Sequence, residues 1–494
     1  MPTNPEQSTP RTGRQAMWNY LVFALSKSST LIMTIVLARL LSPADFGLFA
    51  LALVVINLFD YVKDLGVGAA LVQSQSSWRL LAPTGLTLTV VSGIATGAIV
   101  AVVAGPISDL IGHEQLAPLI RVLAICIIIS AIGAFPAAAL RRRIDFRARL
   151  IPEFAGAIAK TVLTIALAWQ GIGVWSLVYG QLAAVIITTA LYWRAAATHV
   201  EFGYDRQAAS ALLKFGVPAS ALSLLAFAIY NVDYLAIGAR LGDTDLGLYT
   251  LAYRLPELIV LNLCVVISDV LFSALSRIQH DNDEMSAQYL KVLGVVVALT
   301  APIGLGMAAV APQIIGVLYG STYAGAAAPL AMLSIFTVIY SISFHTGDVY
   351  KAIGRPGVLT AINAAKFTVM IGPIWWAAGK SITMVATVLI VVECIHLVLR
   401  IAVVRAMIGV PVARIGRAAI PPVVAAIVMG LVAWSAARLT TSWPDILELL
   451  AIVPLAAVTY GVGLKLLSPQ LISDSLRVLR PGQEKAPTAS GRNE

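Results

Sequence analysis

Lys27, Lys160 and Lys366 each stand in a long apolar run with no acidic residue within four positions. A full charge near the middle of a bilayer costs roughly 3 kcal/mol or more, so such a cation faces a cavity, a partner or an anion, or snorkels to the interface. Lys27 lies about ten residues into its run, which makes snorkelling hard. Asp233, Asp269, Asp348 and Glu393 are acids in or beside apolar runs. A carboxylate in that setting can take up a proton or cation and release it elsewhere, which is the chemistry of ion coupling. His345 and His396 titrate near neutral pH in water and are placed to join such a relay, in competition with a hydrogen-bonded core role. Other charges carry their own partners. Asp60, Lys63 and Asp64 share one helix face, and Arg254 and Glu257 are three apart with Pro256 between them to bend the helix. Cys126, Cys264 and Cys394 lie far apart with no paired spacing, so they are expected as small core residues rather than as zinc ligands or a disulfide framework.

The elements that must position these groups are membrane spans. Of 494 residues 59% are hydrophobic and 12% charged, against about 25% charged in soluble domains. A soluble enzyme of this size cannot hide so much apolar side chain, and the excess runs along the whole chain. About fourteen runs reach spanning length, from Met17–Leu40 to Asp445–Leu467. They are too long for barrel strands, and lipid leaves open strands unsatisfied, so the expected fold is an all-α integral membrane protein. If alternate connections share a face, 24 of the 34 Lys and Arg residues fall on the face that holds both termini, four on the other and six within spans. The positive-inside rule then makes both termini cytoplasmic. The net charge of +9 is thereby a topology signal rather than a mark of nucleic-acid binding. Its densest cluster, Arg141, Arg142, Arg143, Arg147 and Arg149, reads the same way. Trp169, Trp175, Trp375 and Trp376 read as an interfacial belt.

The chain carries an internal repeat. Leu41 to Ala52 reads LSPADFGLFALA and Leu241 to Ala252 reads LGDTDLGLYTLA, with six identities at an offset of 200 that include Asp45/Asp245 and Gly47/Gly247. An even number of spans separates the copies, so both turns face one side and the repeats are parallel. In each turn the Asp caps the next helix and the Gly lets helices approach closely. The expected organisation is a cytoplasmic tail at 1–16, a first lobe of six spans at 17–200, a second at 201–406, two further spans at 407–467 and a cytoplasmic tail at 468–494. Two like halves around a central site are a transporter design.

Four stretches carry a family resemblance: ARLLSPADFGLFALA (Ala38 to Ala52); DLGVGAALVQ (Asp64 to Gln73); RRRIDFRARL with GIGVWSLVYGQL (Arg141 to Leu150 and Gly171 to Leu182); and LKFGVPAS through NVDYLAIGARLGDTDLGLYTLAYRLP to FSALSRIQHD (Leu213 to Asp281). In these the chain resembles the Wzx-type polysaccharide flippases, the polysaccharide-transporter branch of the multidrug/oligosaccharidyl-lipid/polysaccharide exporter superfamily. The resemblance implies a MATE-like fold and movement of an undecaprenyl-diphosphate-linked oligosaccharide from the cytoplasmic to the periplasmic leaflet of the bacterial inner membrane. The unit would then enter exopolysaccharide, capsule or O-antigen, in company with a polysaccharide polymerase and a chain-length regulator. It implies an ion gradient as the energy source and no cofactor; no Walker A pattern occurs in the chain. Related lipid flippases use cations on the first and eighth spans, where Lys27 and Arg254 fall here. With Lys160 and Lys366 these would line the cavity and offset the diphosphate. Asp233, Asp269, Asp348 and Glu393 would serve ion coupling. A multidrug exporter of the same superfamily is the alternative. A membrane glycosyltransferase needs catalytic acids in sizeable external loops, and the outward connections are short.

Overall fold

The computed structural model describes residues 29–74, 76–143, 146–197, 202–469 and 471. Among them the secondary structure is helical with no strand, and thirteen helices are long and apolar enough to cross a membrane. The first expected span, Met17–Leu40, falls largely outside the described residues. Of it, residues 29–37 are helical and are called α1. There follow α2 (Pro43–Asp64), α3 (Val67–Gln73), α4 (Trp78–Ile111), α5 (Leu116–Arg142), α6 (Phe146–Trp169), α7 (Val174–Ala196), α8 (Arg206–Leu241) and α9 (Asp243–Pro256). A π turn, Glu257–Leu261, leads from α9 into α10 (Asn262–Arg277). The remainder is α11 (Asn282–Ala309), α12 (Ala311–Leu318), α13 (Ala327–Phe344), α14 (Thr346–Ala352), α15 (Pro356–Ala377), α16 (Ile382–Ile408), α17 (Val412–Leu439) and α18 (Asp445–Leu467).

Most of these helices are apolar all round because both their surroundings are apolar. On α4, Leu81, Leu86 and Val100 are buried against neighbours, while Leu80, Val91, Val102 and Leu110 are exposed, Leu110 by 87%. In water such a face would drive association; in a bilayer it is solvated by lipid. The same logic corrects one expectation. Cys126 and Cys264 are buried core residues, but Cys394 is exposed on α16. An apolar run does not tell a lipid-facing position from a core one.

The helices form two compact units. The first comprises the described part of Met1–Leu251 with Leu318–Ala326 and Asn363–Val388; the second comprises Ala252–Val317, Ala327–Ile362 and the described part of Leu389–Glu494. In the first unit, Val67, Leu71, Leu81, Leu86, Phe135 and Leu212 make one core cluster. In the second, Met285, Tyr289, Leu293, Tyr350 and Val404 belong to another.

The repeat turns meet inside the first unit. Ser42 caps α2, its hydroxyl accepting from the Asp45 amide at 3.3 Å while Asp45 accepts from the Ser42 amide at 2.9 Å. This reciprocal box fixes the helix start. A methyl group on Gly47 would stand 1.8 Å from the Asp243 carbonyl oxygen, and one on Gly247 would stand 1.8 Å from the Pro43 carbonyl oxygen. The two turns therefore touch backbone to backbone, which only glycine permits. The other end of α2 is held in the same manner, where Gly66, at φ +66°, lies against the backbone of Gly216 on α8.

Candidate functional site

The structure describes the surroundings of six of the eight expected site residues. Lys27 lies outside the described residues. Asp269 sits on α10, and its side chain is likewise outside the described set.

In the first unit Lys160, on α6, is half-buried. Its Nζ donates to the Gln181 side-chain oxygen at 2.7 Å and lies 5.8 Å from the centre of the Phe49 ring. Next to it Thr161 shares a hydrogen bond with Ser29 at 3.2 Å. A second cation, Lys63 on α2, is only 4% exposed; it is paired with Asp60 and bonded to the Ser130 hydroxyl. Ser130 donates in turn to Asp60 at 3.1 Å. Lys63, Lys160 and Asp60 all exert their charge on the Cys126 thiol, although Asp60 itself is 46% exposed. Helical spacing gave the Asp60–Lys63 pair; Ser130, 67 residues from Lys63, carried no sequence signal.

Asp233, on α8, is 3% exposed. One of its oxygens accepts from the Tyr249 hydroxyl at 2.7 Å and the other from the Tyr234 amide at 3.0 Å. Tyr249 belongs to the repeat turn DLGLYTLA and Asp233 to NVDYL, so the hydrogen bond ties two parts of the fourth stretch that carries the resemblance. The Lys366 ammonium, half-buried on α15, acts electrostatically on Asp233. The fold thus brings together one expected coupling acid and one expected cavity cation.

In the second unit Arg254 lies 3.7 Å from Glu257, as spacing predicts. Pro256 ends α9 where the backbone widens into the π turn Glu257–Leu261. Such turns mark breaks in the regular ladder and recur at functional sites. Asp348 is 2% exposed and accepts from Ser268 at 2.6 Å; Lys351 Nζ lies 2.8 Å away, and His345 Nδ1 lies 3.1 Å from its other oxygen. Glu393, fully buried on α16, accepts from Ser343 at 2.8 Å and lies 3.3 Å from His396 Nδ1. Arg400 donates to the Ser343 carbonyl at 2.9 Å. Asp348 and Glu393 therefore stand in one polar region, each joined to an imidazole. Lys351, Ser268, Ser343 and Arg400 were not among the expected site residues. Among the described residues no cluster of His, Cys, Asp and Glu has the form of a metal site.

The arginine cluster is partly accounted for by helix ends. Arg142 donates to the carbonyls of Leu71 and Ser76, both at 2.8 Å, and Arg143 donates to the Ala196 carbonyl at 2.8 Å. Trp169, Trp375 and Trp376 are exposed, and Arg240 lies over the Trp375 ring, in keeping with an interfacial belt.

Helices of spanning length with charges and carboxylate–imidazole pairs held among them define a multi-pass membrane protein. The family model described as "Polysaccharide biosynthesis protein" matches residues 36–328, more than half of the chain, and the chain belongs to that family. It is 25% identical over 353 residues to the lipopolysaccharide biosynthesis protein WzxC of Escherichia coli (strain K12), covering 71% of this chain and 72% of that one. It is 25% identical over 352 residues to the succinoglycan biosynthesis transport protein ExoT of Rhizobium meliloti (strain 1021), covering 70% and 67%. Its fold is similar to that of the lipid II flippase MurJ in an inward closed conformation, with a TM-score of 0.75 and 14% identity over 92% of this chain and 100% of that one. An inward-facing MATE multidrug transporter matches with a TM-score of 0.61 and 16% identity over 78% and 94%. The fold is thus shared with the lipid II flippase and the MATE transporter, and the family is one of polysaccharide biosynthesis.

Proposed function

We propose that the protein flips an undecaprenyl-diphosphate-linked oligosaccharide from the cytoplasmic to the periplasmic leaflet of the bacterial inner membrane, supplying exopolysaccharide, capsule or O-antigen synthesis. The observation that carries this reading is the family match, with relatives named for lipopolysaccharide and succinoglycan biosynthesis. The lobes at 17–200 and 201–406 alternate access, with both termini in the cytoplasm. Lys27, Lys160, Arg254 and Lys366 offset the diphosphate, whose charge otherwise opposes entry into a low-dielectric space. Lys160 supports this, because its ammonium lies on a helix of spanning length, bonded to Gln181 and near the Phe49 ring. Asp233, Asp269, Asp348 and Glu393 couple the step to an ion gradient. A polymerase and a chain-length regulator act on the delivered unit. The likeness to multidrug transporters is one of fold and brings no drug-binding chemistry with it.

The test is a deletion strain. Loss of one cell-surface polymer together with accumulation of its lipid-linked repeat unit on the cytoplasmic side is the expected result. A strain that loses no polymer and gains drug sensitivity refutes the reading in favour of a drug exporter.

A further inference from the structure

The second unit buries two carboxylate–imidazole pairs, and they abut. In one, His345 Nδ1 faces Asp348 at 3.1 Å; in the other, His396 Nδ1 faces Glu393 at 3.3 Å. Ser343, two residues before His345, donates to Glu393 at 2.8 Å, so the second pair begins where the first ends. Both imidazoles and both carboxylates are at most 4% exposed. His345 Nε2 is buried and has no hydrogen-bond partner among the described residues. A buried polar nitrogen without a partner forfeits the hydrogen bond it had to water, which a merely structural histidine would be expected to avoid.

Resting on the flippase reading, we infer that these two pairs are the site where the transporter binds its coupling ion and that this ion is a proton. The choice follows from what surrounds the carboxylates. A sodium ion needs a shell of oxygen ligands, as hard cations do. Here the oxygens of Asp348 are taken by Ser268, by His345 and by the Lys351 ammonium at 2.8 Å, and a metal cation would have to displace that ammonium. The region is furnished with N–H and O–H groups, which suits a proton. One proton adds to an imidazole of a pair, the adjacent carboxylate stabilises the imidazolium, and the same proton leaves when the pair is opened to the opposite face. Two further charges face the pairs, Lys351 from α14 and Arg400 from α16. Tyr350 donates to the Arg400 carbonyl at 2.9 Å, Tyr289 on α11 lies near both Tyr350 and Arg400, and the Phe344 ring stands edge-on to His345 at 5.3 Å. With both imidazoles neutral, Asp348 and Glu393 offset the charges of Lys351 and Arg400, and either imidazole can take up a proton without breaking the Asp348–Lys351 pair.

Two measurements test this on the full chain in lipid nanodiscs and proteoliposomes. The first is infrared difference spectroscopy between pH 8.5 and 5.5. Of the chain's five histidines, the imidazolium component contributed by His345 and His396 is expected to be missing from the difference spectrum of a His345→Gln/His396→Gln variant, which keeps polar contacts of similar size. The second is flipping of a fluorescent polyprenyl-diphosphate oligosaccharide under a one-unit pH gradient or a tenfold sodium gradient. The wild type is expected to accelerate up to about tenfold under the pH gradient, since one unit corresponds to a factor of ten per proton, and not under sodium. The double variant is expected to lose the acceleration, its rate under the pH gradient matching its own rate without one. A variant with an undiminished imidazolium signal and the full acceleration overturns the assignment, as does a wild type driven by sodium alone. A wild type that flips nothing refutes the flippase reading, and the infrared titration then still decides whether the pairs bind protons. If the double variant does not fold, His345→Gln alone gives the same two readouts.

Discussion

Gly47→Ala is the sharpest probe of the seam between the repeat turns. The added methyl group would lie 1.8 Å from the Asp243 carbonyl oxygen, where ordinary contact begins near 3.4 Å. The backbones must therefore part by about 1.6 Å, and the opposing atom is main chain, which cannot rotate away. Overpacking of this kind costs about 1–3 kcal/mol. Gly247→Ala meets the Pro43 carbonyl at the same distance and is expected to cost the same. The two substitutions share one seam, so the separation that relieves the first relieves the second. The double variant should then cost less than the sum of the singles, by a coupling of about 0.5–3 kcal/mol. Gly372→Ala is the control. No atom lies within 4 Å of its new methyl group, and replacing glycine in an exposed helix should stabilise by up to about 1 kcal/mol. Thermal unfolding of the purified protein in one detergent reads all four variants. Additive costs, or a neutral Gly47→Ala, would refute the reciprocal seam.

Asp60→Asn should destabilise more than Lys63→Met, because Lys63 is 4% exposed and Asp60 46%; the first strands a buried ammonium and the second leaves a carboxylate that water can reach. Unfolding midpoints of the two single variants check the order. Tyr249→Phe removes the hydroxyl that serves the buried Asp233 and is expected to cost about 1.5–3 kcal/mol in the same assay. Lys27→Ala and Lys366→Ala are expected to reduce polymer export in a complemented deletion strain while leaving membrane insertion intact. Normal export by both variants would end the argument for a cationic cavity.

Much of the fold was legible because a bilayer imposes one rule on every span. The thirteen described helices of spanning length answer to thirteen of the expected runs, and boundaries moved mainly where helices continue past the apolar stretch, as α8 does from Arg206 to Leu241. Pairs at helical spacing were legible too, as Asp60 with Lys63 and Arg254 with Glu257 show. The Asp348–Lys351 spacing of three carries the same signal, but Lys351 stands at the edge of an apolar run, where a cation reads as a loop charge. What the chain alone could not show is which span packs on which. Asp233 meets Tyr249 across the turn between α8 and α9, and Ser343 meets Glu393 from 50 residues away. No local pattern encodes either contact, and Cys394 shows that apolarity does not separate core from lipid.

The same ambiguity makes the repeat turns the firmest link between sequence and architecture. Pro43 and Asp243 are 200 residues apart, and so are Gly47 and Gly247. Each glycine rests on the carbonyl of the other pair's first member. A contact that maps onto itself when the two numbers are exchanged requires the copies to be related by an approximate two-fold rotation. Had the repeats been inverted, the turns would stand on opposite membrane faces, separated by a hydrocarbon core of roughly 30 Å, and could not touch. Backbone contact at 200-residue symmetry thus selects the parallel arrangement on distance alone, and it explains why a polar Asp-x-Gly persists in both copies of an otherwise apolar chain: the acid stands in the first turn of each helix, and the glycine admits the other copy's main chain.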